Sequence, residues 1–262
     1  MEIEKEAKDD VRNKRGIQVC KDGPYIVSGG IPLYELVVDN DAEDYPCDYH
    51  VSKKYPSQEN YSLCRCGQSN DKPFCDGTHE TVHFNGTETA SRAPYLARAE
   101  ELDGPALILA DVRELCSHVG MCLRAGGIRE LVLRSNDPDA KRAALKEVAN
   151  CNSGRLVAFD KETGKPIEPE FEPSIAVVKE PRRGYSGPAW VRGGIPIEAA
   201  DGSTYEIRNR VALCRCGISS AKPFCDGSHR VMNDGFAQNP VGGRPDTQHR
   251  RPEDAAQTED DG

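Results

Sequence analysis

Aromatic residues are scarce in this sequence, at 6% of 262 residues, and hydrophobic residues of all kinds reach only 37%. No run approaches 18 apolar residues, so the sequence predicts no membrane-spanning helix. The charged opening, MEIEKEAKDD, lacks the apolar stretch of a signal peptide. The net charge of −9 disfavours nucleic-acid binding, which depends on lysine and arginine. We therefore expect a cytoplasmic protein that binds neither membranes nor nucleic acid.

Cysteine, by contrast, is plentiful, with eleven residues. In a cytoplasmic chain, many cysteines indicate metal binding rather than disulfides. Nine of them form three groups: Cys64, Cys66 and Cys75, followed by His79; Cys116, Cys122 and Cys151; and Cys214, Cys216 and Cys225, followed by His229. The other two, Cys20 and Cys47, are expected to be ordinary thiols, and His50 and His83 to be surface residues.

The chain repeats itself in two blocks. Gly23–Leu33 reads GPYIVSGGIPL and Gly187–Ile197 reads GPAWVRGGIPI. Cys64–His79 reads CRCGQSNDKPFCDGTH and Cys214–His229 reads CRCGISSAKPFCDGSH, with twelve of sixteen positions identical. The sequence therefore predicts a duplicated module with an insert between the copies.

Short β-prone runs precede each cysteine loop, at Tyr25–Val27, Tyr34–Val38, Ala189–Val191 and Thr204–Ile207, and Asp201-Gly202 is a hairpin turn signal. In the first copy, residues 40–61 form a longer link, expected to be an ordered excursion or a loop.

The insert has a different pattern. Asp111 is expected to cap a short helix that runs through Cys116, and Asp137-Pro138 to begin a clearer helix that ends near Ala149. Leu156–Phe159 and Ile175–Val178 are expected to be strands. We divide the chain into a flexible N-terminus (1–16), a first module (17–92), a middle domain (93–179), a second module (180–240) and a disordered tail (241–262).

The first and last cysteine groups each offer three thiolates and one imidazole within sixteen residues. Thiolates are soft donors that suit iron–sulfur clusters or zinc. Zinc sites usually have Cys-x₂₋₄-Cys spacing rather than the Cys-x-Cys found here. Spacing therefore favours a cluster and leaves a zinc-stabilised interaction module as the alternative.

Both runs resemble, position for position, the CDGSH motif of the NEET iron–sulfur proteins, C-x-C-x₂-S/T-x₃-P-x-C-D-G-S/A/T-H. The matching residues besides the cysteines and histidines are Ser69, Pro73, Asp76, Gly77 and Thr78, and Ser219, Pro223, Asp226, Gly227 and Ser228. The resemblance implies one [2Fe–2S] cluster per motif, held by three cysteines and one histidine. Because the family usually forms homodimers, it also implies that the two modules pair as an internal pseudo-dimer. The membrane anchor of the animal mitochondrial members is not expected here.

The middle group resembles a divergent single-cluster ferredoxin domain, in which C-x-H-x₃-C is followed by C-P-S-G. Here Asn152 replaces the proline, and Val119 stands where ordinary ferredoxins have a ligand. Three cysteines could hold a [3Fe–4S] cluster, or a [4Fe–4S] cluster with His118 as the nearest fourth ligand. The alternative is a domain that has lost its cluster, since four ligands are the norm.

These features predict an α+β protein with two paired β-rich CDGSH modules and an inserted α+β ferredoxin-like domain. The expected function is electron transfer or cluster transfer to protein partners, without an enzymatic activity of its own. The sequence contains no G-x-G-x-x-G or P-loop pattern for a nucleotide-dependent enzyme. An electron-carrying part of an oxidoreductase is the remaining alternative.

Overall fold

The computed structural model describes residues 15–231. Its strands are β1 Gly16–Val19, β2 Tyr25–Ser28, β3 Leu33–Asn40, β4 Pro46–Lys54, β5 Asn60–Leu63, β6 Glu100–Asp103, β7 Leu107–Asp111, β8 Leu156–Asp160, β9 Pro166–Ile167, β10 Ser174–Glu180, β11 Tyr185–Arg192, β12 Ile197–Glu198 and β13 Arg210–Leu213. Its helices are α1 Thr78–Thr81, α2 Tyr95–Arg98, α3 Ile128–Leu133 and α4 Pro138–Ala149, with 3-10 turns at Arg113–Leu115, Pro181–Arg183 and Ser228–Val231. The expectations for the two chain ends fall largely on residues 1–14 and 232–262, outside the described residues.

Two sheets exchange strands between the repeated modules. The first has the order β12-β1-β2-β5, and the second has the order β13-β11-β10-β3-β4. In the first sheet, β12 of the second module lies parallel to β1, with Ile17 opposite Ile197. In the second sheet, β3 of the first module lies parallel to β10, with Ile175 opposite Leu33. The two sheets also contain corresponding antiparallel pairs. The pair β1–β2 in the first sheet corresponds to β10–β11 in the second, and β2–β5 corresponds to β11–β13.

The three sheets and few helices confirm the α+β class, and the reciprocal exchange shows that strands of the two modules pair in both shared sheets. Each Gly-Gly-Ile-Pro segment carries the chain from one sheet into the other. Gly29 and Gly193 have φ of +82° and +78°, and a methyl group on either would lie 2.6 Å from a backbone atom of Arg15 or Phe171. Only glycine fits this turn without displacing the neighbouring chain.

The link in the first copy is an ordered hairpin rather than an irregular loop. Strand β4 pairs antiparallel with β3 and extends the second sheet by one strand that the second module lacks. The predicted boundary at residue 179 places most of β10 in the middle domain. In the structure, β10 instead pairs with β11 and belongs to the sheet of the second module. Sequence periodicity identifies such a strand but does not show which sheet it joins.

The main core lies between the two exchanged sheets. It includes Ile17, Tyr25, Val27, Leu63, Ile175, Val177, Val191 and Leu213, each with no more than 2% of its surface exposed. Burial of this apolar surface on both inner faces is the main stabilising contribution to the pair of modules.

The middle domain has a third sheet of order β6-β7-β8-β9, covered by α3 and α4. Helix α4 begins where the sequence predicts, with the Asp137 carboxylate accepting a hydrogen bond from the Asp139 N–H at 2.8 Å. No helix among residues 15–231 is long and apolar enough to cross a membrane.

Two local predictions were wrong. Asp111 does not cap a helix through Cys116; it ends β7, and its carboxylate pairs with Arg155 at 2.6 Å. Thr204–Ile207 is not a strand, because it meets another strand only at a single bridge from Thr204 to Glu198. The segment is held instead through the Tyr205 ring, which packs edge-on against Phe224.

Candidate iron–sulfur sites

In the first module, the four predicted donors lie in the loop that follows β5 and in α1. The Sγ atoms of Cys64 and Cys66 are 3.7 Å apart. The Cys75 Sγ is 3.3 Å from the His79 Nδ1. The structure therefore brings the donors together as two adjacent pairs.

The second module repeats this arrangement after β13. The Sγ atoms of Cys214 and Cys216 are 3.6 Å apart, and the Cys225 Sγ is 3.5 Å from the His229 Nδ1. In both modules the Nδ1 atom faces the thiol, while Nε2 points towards a glutamate. That glutamate is Glu80 at 4.0 Å in the first module and Glu180 at 3.9 Å in the second.

The non-ligand residues that the two motifs share shape the loop of each motif. The Asp76 carboxylate accepts backbone N–H hydrogen bonds from Asn70 at 2.8 Å and from Thr78 at 3.0 Å. Hydrogen bonds from Thr78 and Asn70 hold the pKa of Asp76 well below its usual range. Asp226 makes the same backbone contacts to residues 220 and 228. The aspartate thus stays ionised and ties the two ends of the cysteine loop together.

The two sites differ in their exposure to solvent. The His79 side chain is 15% exposed, whereas the His229 side chain is 3% exposed and lies against the buried carboxylate of Glu180. Cys225 is buried, and burial raises its pKa well above the usual value, whereas Cys75 is half-buried. Water and partner molecules therefore have readier access to the first site.

Sequence reasoning missed two neighbours of these sites, Glu180 and Cys20. Glu180 comes from the end of β10, and only the β10–β11 pairing brings it to His229. A methyl group on Gly23 would lie 3.0 Å from the Cys20 Cβ and 3.7 Å from the His79 Nε2, so Cys20 flanks the first site. Burial raises the pKa of the Cys20 thiol. The position of Cys20 directly after β1, in the turn of the hairpin that β1 forms with β2, is the signal that could have indicated it.

The two sites also touch each other. A methyl group on Gly217 would lie 2.6 Å from the Cys66 carbonyl oxygen. The Tyr25 hydroxyl donates to the carbonyl oxygens of Cys214 and Pro223, at 2.8 and 3.0 Å, and so links the first module to the second cysteine loop. The sites are therefore held at a fixed separation by backbone packing.

The third cysteine group lines a single cleft that is partly open to solvent. The cleft is bounded by Cys116, Cys122, Cys151 and His118, together with Asn152, Arg155 and other neighbours. Cys151 follows α4, far along the chain from Cys116 and Cys122, and the fold places all three beside this cleft. Burial raises the pKa of Cys122 to about 12 and lowers the pKa of His118, so the His118 ring is unprotonated at neutral pH. Val119 also borders this cleft, and its buried side chain belongs to an apolar cluster with Met121 and Trp190.

Two polar side chains of the cleft are oriented by second contacts. The Arg155 guanidinium is held by Asp111 and donates to the Cys116 Sγ at 3.2 Å. The Ser117 hydroxyl donates to the Asn152 Oδ1 at 2.5 Å. The Asn152 side-chain nitrogen is buried and has no hydrogen-bond partner among residues 15–231. A buried donor without a partner is costly unless a ligand accepts its hydrogen bond.

Comparison with protein families assigns all three regions. Residues 22–80 and 186–230 match the family described as iron-binding zinc finger CDGSH type, and residues 102–161 match the family described as divergent 4Fe-4S mono-cluster. The chain therefore carries two CDGSH-type regions on either side of a divergent 4Fe-4S region. Comparison with curated proteins and with solved structures finds no match. The family assignment confirms the resemblance of both motifs and of the middle domain.

The donor geometry fits the cluster of this family. Two thiolates on one tetrahedral metal lie roughly 3.8 Å apart, and a thiolate and an imidazole nitrogen roughly 3.5 Å, from bond lengths of about 2.3 and 2.05 Å. The observed pairs span 3.3–3.7 Å. Between residues 15 and 231 no three His, Cys, Asp or Glu side chains converge on one metal ion. The CDGSH donors are instead arranged two and two, as a cluster with two irons requires.

Proposed function

We propose that this protein binds two [2Fe–2S] clusters and acts in electron transfer or cluster transfer. Cys64, Cys66, Cys75 and His79 would hold the first cluster, and the corresponding Cys214, Cys216, Cys225 and His229 the second. The observation that carries the proposal is the pairing of four donors in each module at the spacing of two ligands on one metal.

A [2Fe–2S] cluster supplies one-electron chemistry. The chain's own residues would fix the cluster, tune its charge and control access to it. Three thiolates and one neutral imidazole leave the site less negative than four thiolates would, and a less negative site favours the reduced state. Each protein partner would be a one-electron donor or acceptor, or an acceptor of the cluster itself, meeting the first site where His79 is exposed. We assign the chain no enzymatic activity of its own.

We further propose that the middle cleft holds a third cluster, of [3Fe–4S] or [4Fe–4S] type. Cys116, Cys122 and Cys151 would be ligands, with His118 as the fourth in a [4Fe–4S] cluster. The support is the buried Asn152 side-chain nitrogen without a partner, since sulfide and thiolate sulfur both accept hydrogen bonds.

Iron and acid-labile sulfide, counted on anaerobically prepared protein, test the proposal. The two CDGSH sites alone should contribute about four iron and four sulfide per chain, with a red-brown visible absorbance. Stoichiometric zinc without sulfide would contradict it and favour the zinc-stabilised interaction module.

In Cys122→Ser, iron above four per chain should be lost while both [2Fe–2S] signals persist. Unchanged iron in that variant would mean that the middle domain holds no cluster.

Asn152→Leu should lower the midpoint potential of the middle cluster without releasing its iron. Hydrogen bonds to cluster sulfur stabilise the more negative, reduced state, so removing one donor favours the oxidised state. The measurement is a redox titration followed by electron paramagnetic resonance. Asn150→Leu is the control, because the Asn150 amide also borders the cleft but already donates to the Cys47 carbonyl at 3.1 Å. Equal potentials in the two variants would show that Asn152 donates nothing to the cluster.

A further inference from the structure

One side chain joins the middle cleft to the second CDGSH site. His118 lines the cleft beside the three cysteines. Its ring also lies against Gly227, where a methyl group would be only 2.3 Å from the His118 Cδ2. Gly227 in turn donates its backbone N–H to the Cys225 Sγ at 3.4 Å. The path from the middle cleft to the Cys225 sulfur therefore runs through the His118–Gly227 contact and the Gly227–Cys225 hydrogen bond.

The backbone holds His118 in this position. Its φ of +60° lies in the left-handed region, which a residue with a side chain rarely occupies unless its surroundings enforce it. The flanking residues are fixed on both sides: Ser117 by Asn152, and the Val119 carbonyl by the Arg183 guanidinium at 3.1 Å.

The first CDGSH site has no corresponding contact. Gly77 occupies the position equivalent to Gly227 and has almost the same φ, +87° against +83°. Among the described residues, nothing lies within 4 Å of a methyl group placed on Gly77. Within residues 15–231, the middle domain therefore contacts the Asp-Gly turn of the second motif at Gly227 and makes no such contact at Gly77 of the first.

A buried arginine fixes the middle domain to the second module. The Arg210 guanidinium, at the start of β13, donates to the carbonyl oxygens of Cys151 and Leu156, at 3.1 and 3.0 Å, and pairs with Glu168 at 2.8 Å. Strand β13 leads directly into Cys214. At the equivalent position the first module has Asn60, which is exposed. The Cys151 loop and the second site therefore share one rigid support.

We propose that the middle cluster and the second [2Fe–2S] cluster exchange electrons directly through the His118–Gly227 contact, and that the first cluster is reached only by way of the second. The proposal rests on the function proposed above. Electron tunnelling weakens steeply as the nonbonded gap widens, so the route with a tight side-chain contact carries the exchange. The second step crosses the packing of Gly217 on Cys66.

Each step moves one electron and neither makes nor breaks a bond. A one-electron donor protein would reduce the middle cluster, which would return to its oxidised state as one ferric iron of the second cluster became ferrous. The second cluster would pass the electron to the first in the same way. The first site, where His79 is partly exposed, would then pass the electron to an acceptor protein, or the sequence would run in reverse.

The test compares Gly227→Ala with Gly77→Ala in the full-length protein, after iron and sulfide counts establish that each variant holds all three clusters. Both substitutions impose the same backbone strain at positive φ, but only the one at Gly227 meets His118. Flash photoreduction delivers less than one electron per molecule, and rapid-freeze electron paramagnetic resonance follows its redistribution. We expect the exchange between middle and second clusters to slow at least tenfold in Gly227→Ala and to stay within twofold of wild type in Gly77→Ala. Equal rates in all three proteins would overturn the route.

A second measurement does not depend on those variants. In the fully reduced protein, the middle cluster should accelerate the spin relaxation of one [2Fe–2S] signal, the one that Cys225→Ser removes, and Cys122→Ser should abolish the effect. Acceleration of both signals, or of neither, would overturn the proposal. A count of four irons per chain would also overturn the proposed electron route, because the middle cleft would then hold no cluster. That count would still agree with the proposed function of two [2Fe–2S] clusters. Protein with zinc and no sulfide would instead remove the proposed function itself.

Discussion

Replacing His79 by cysteine should lower the midpoint potential of the first cluster by roughly 100–350 mV and slow its loss in mild acid. In Rieske centres, two imidazoles in place of two thiolates raise the potential from about −400 mV to between about −150 and +300 mV, so one replacement is expected to contribute about half or less. The direction follows from charge, because a fourth thiolate makes the cluster more negative and harder to reduce.

The acid effect follows from competition between protons and iron for the ligand. A ligating histidine must be unprotonated, so falling pH favours rupture of the bond between its Nδ1 atom and iron. In wild-type protein the first cluster should be lost before the second, because His79 is 15% exposed and His229 only 3%. Visible absorbance at mildly acidic pH should therefore decay in two phases, and His79→Cys should remove the faster phase.

Two variants complete this experiment. His229→Cys should lower the potential of the second cluster and leave the faster phase unchanged. His50→Cys, at an exposed histidine paired with Asp39, controls for an added thiol and should match wild type. If His79→Cys and His229→Cys both kept wild-type potentials and decay rates, neither histidine would be an iron ligand.

Arg210→Met should reduce the free energy of unfolding by about 3–5 kcal/mol, the usual cost of removing one member of a buried ion pair. The Arg210 side chain is fully buried, and it also donates to the carbonyl oxygens of Val148, Cys151 and Leu156. Methionine fills much of the space but removes one hydrogen-bond donor from each of these three carbonyl oxygens and from the Glu168 carboxylate, which keeps its hydrogen bond from Asn209.

Denaturant unfolding of anaerobic, cluster-loaded protein measures this loss, with visible absorbance and circular dichroism followed together. Asn60→Met at the equivalent exposed position should change the free energy by less than about 0.5 kcal/mol. A loss below about 1 kcal/mol in Arg210→Met would mean that the middle domain is held to the second module by other contacts.

The sequence indicated both CDGSH sites because their four donors lie within sixteen residues, so local spacing alone defines the donor set. The sequence also predicts the helix from Pro138 to Ala149, because its capping residue and its proline are adjacent in the chain. The pairing of the modules came from their resemblance to a family of dimers. The reciprocal strand exchange that achieves it depends on contacts between residues far apart in sequence.

The residues that escaped prediction are those whose role depends on tertiary contacts. Asp111 has the sequence context of a helix cap. In the structure its carboxylate instead accepts two hydrogen bonds from the Arg155 guanidinium, and the residue ends strand β7. Glu180 and Cys20 reach the histidines only after strands from separate parts of the chain have paired. The contact between His118 and Gly227 joins residues more than a hundred positions apart and leaves no local pattern.

The exchanged strands also govern when the protein can become complete during its synthesis. The Gln18 side chain in β1 bonds to Glu198 in β12, which follows 180 residues later. At about 5–20 residues per second, the ribosome needs on the order of 10–40 s to supply that partner. Until then, the first cysteine loop is already outside the ribosome while its sheet still lacks an edge strand. Iron and sulfide therefore enter a folded first site only after β12 has been synthesised, and the newborn thiols must be kept reduced throughout that interval.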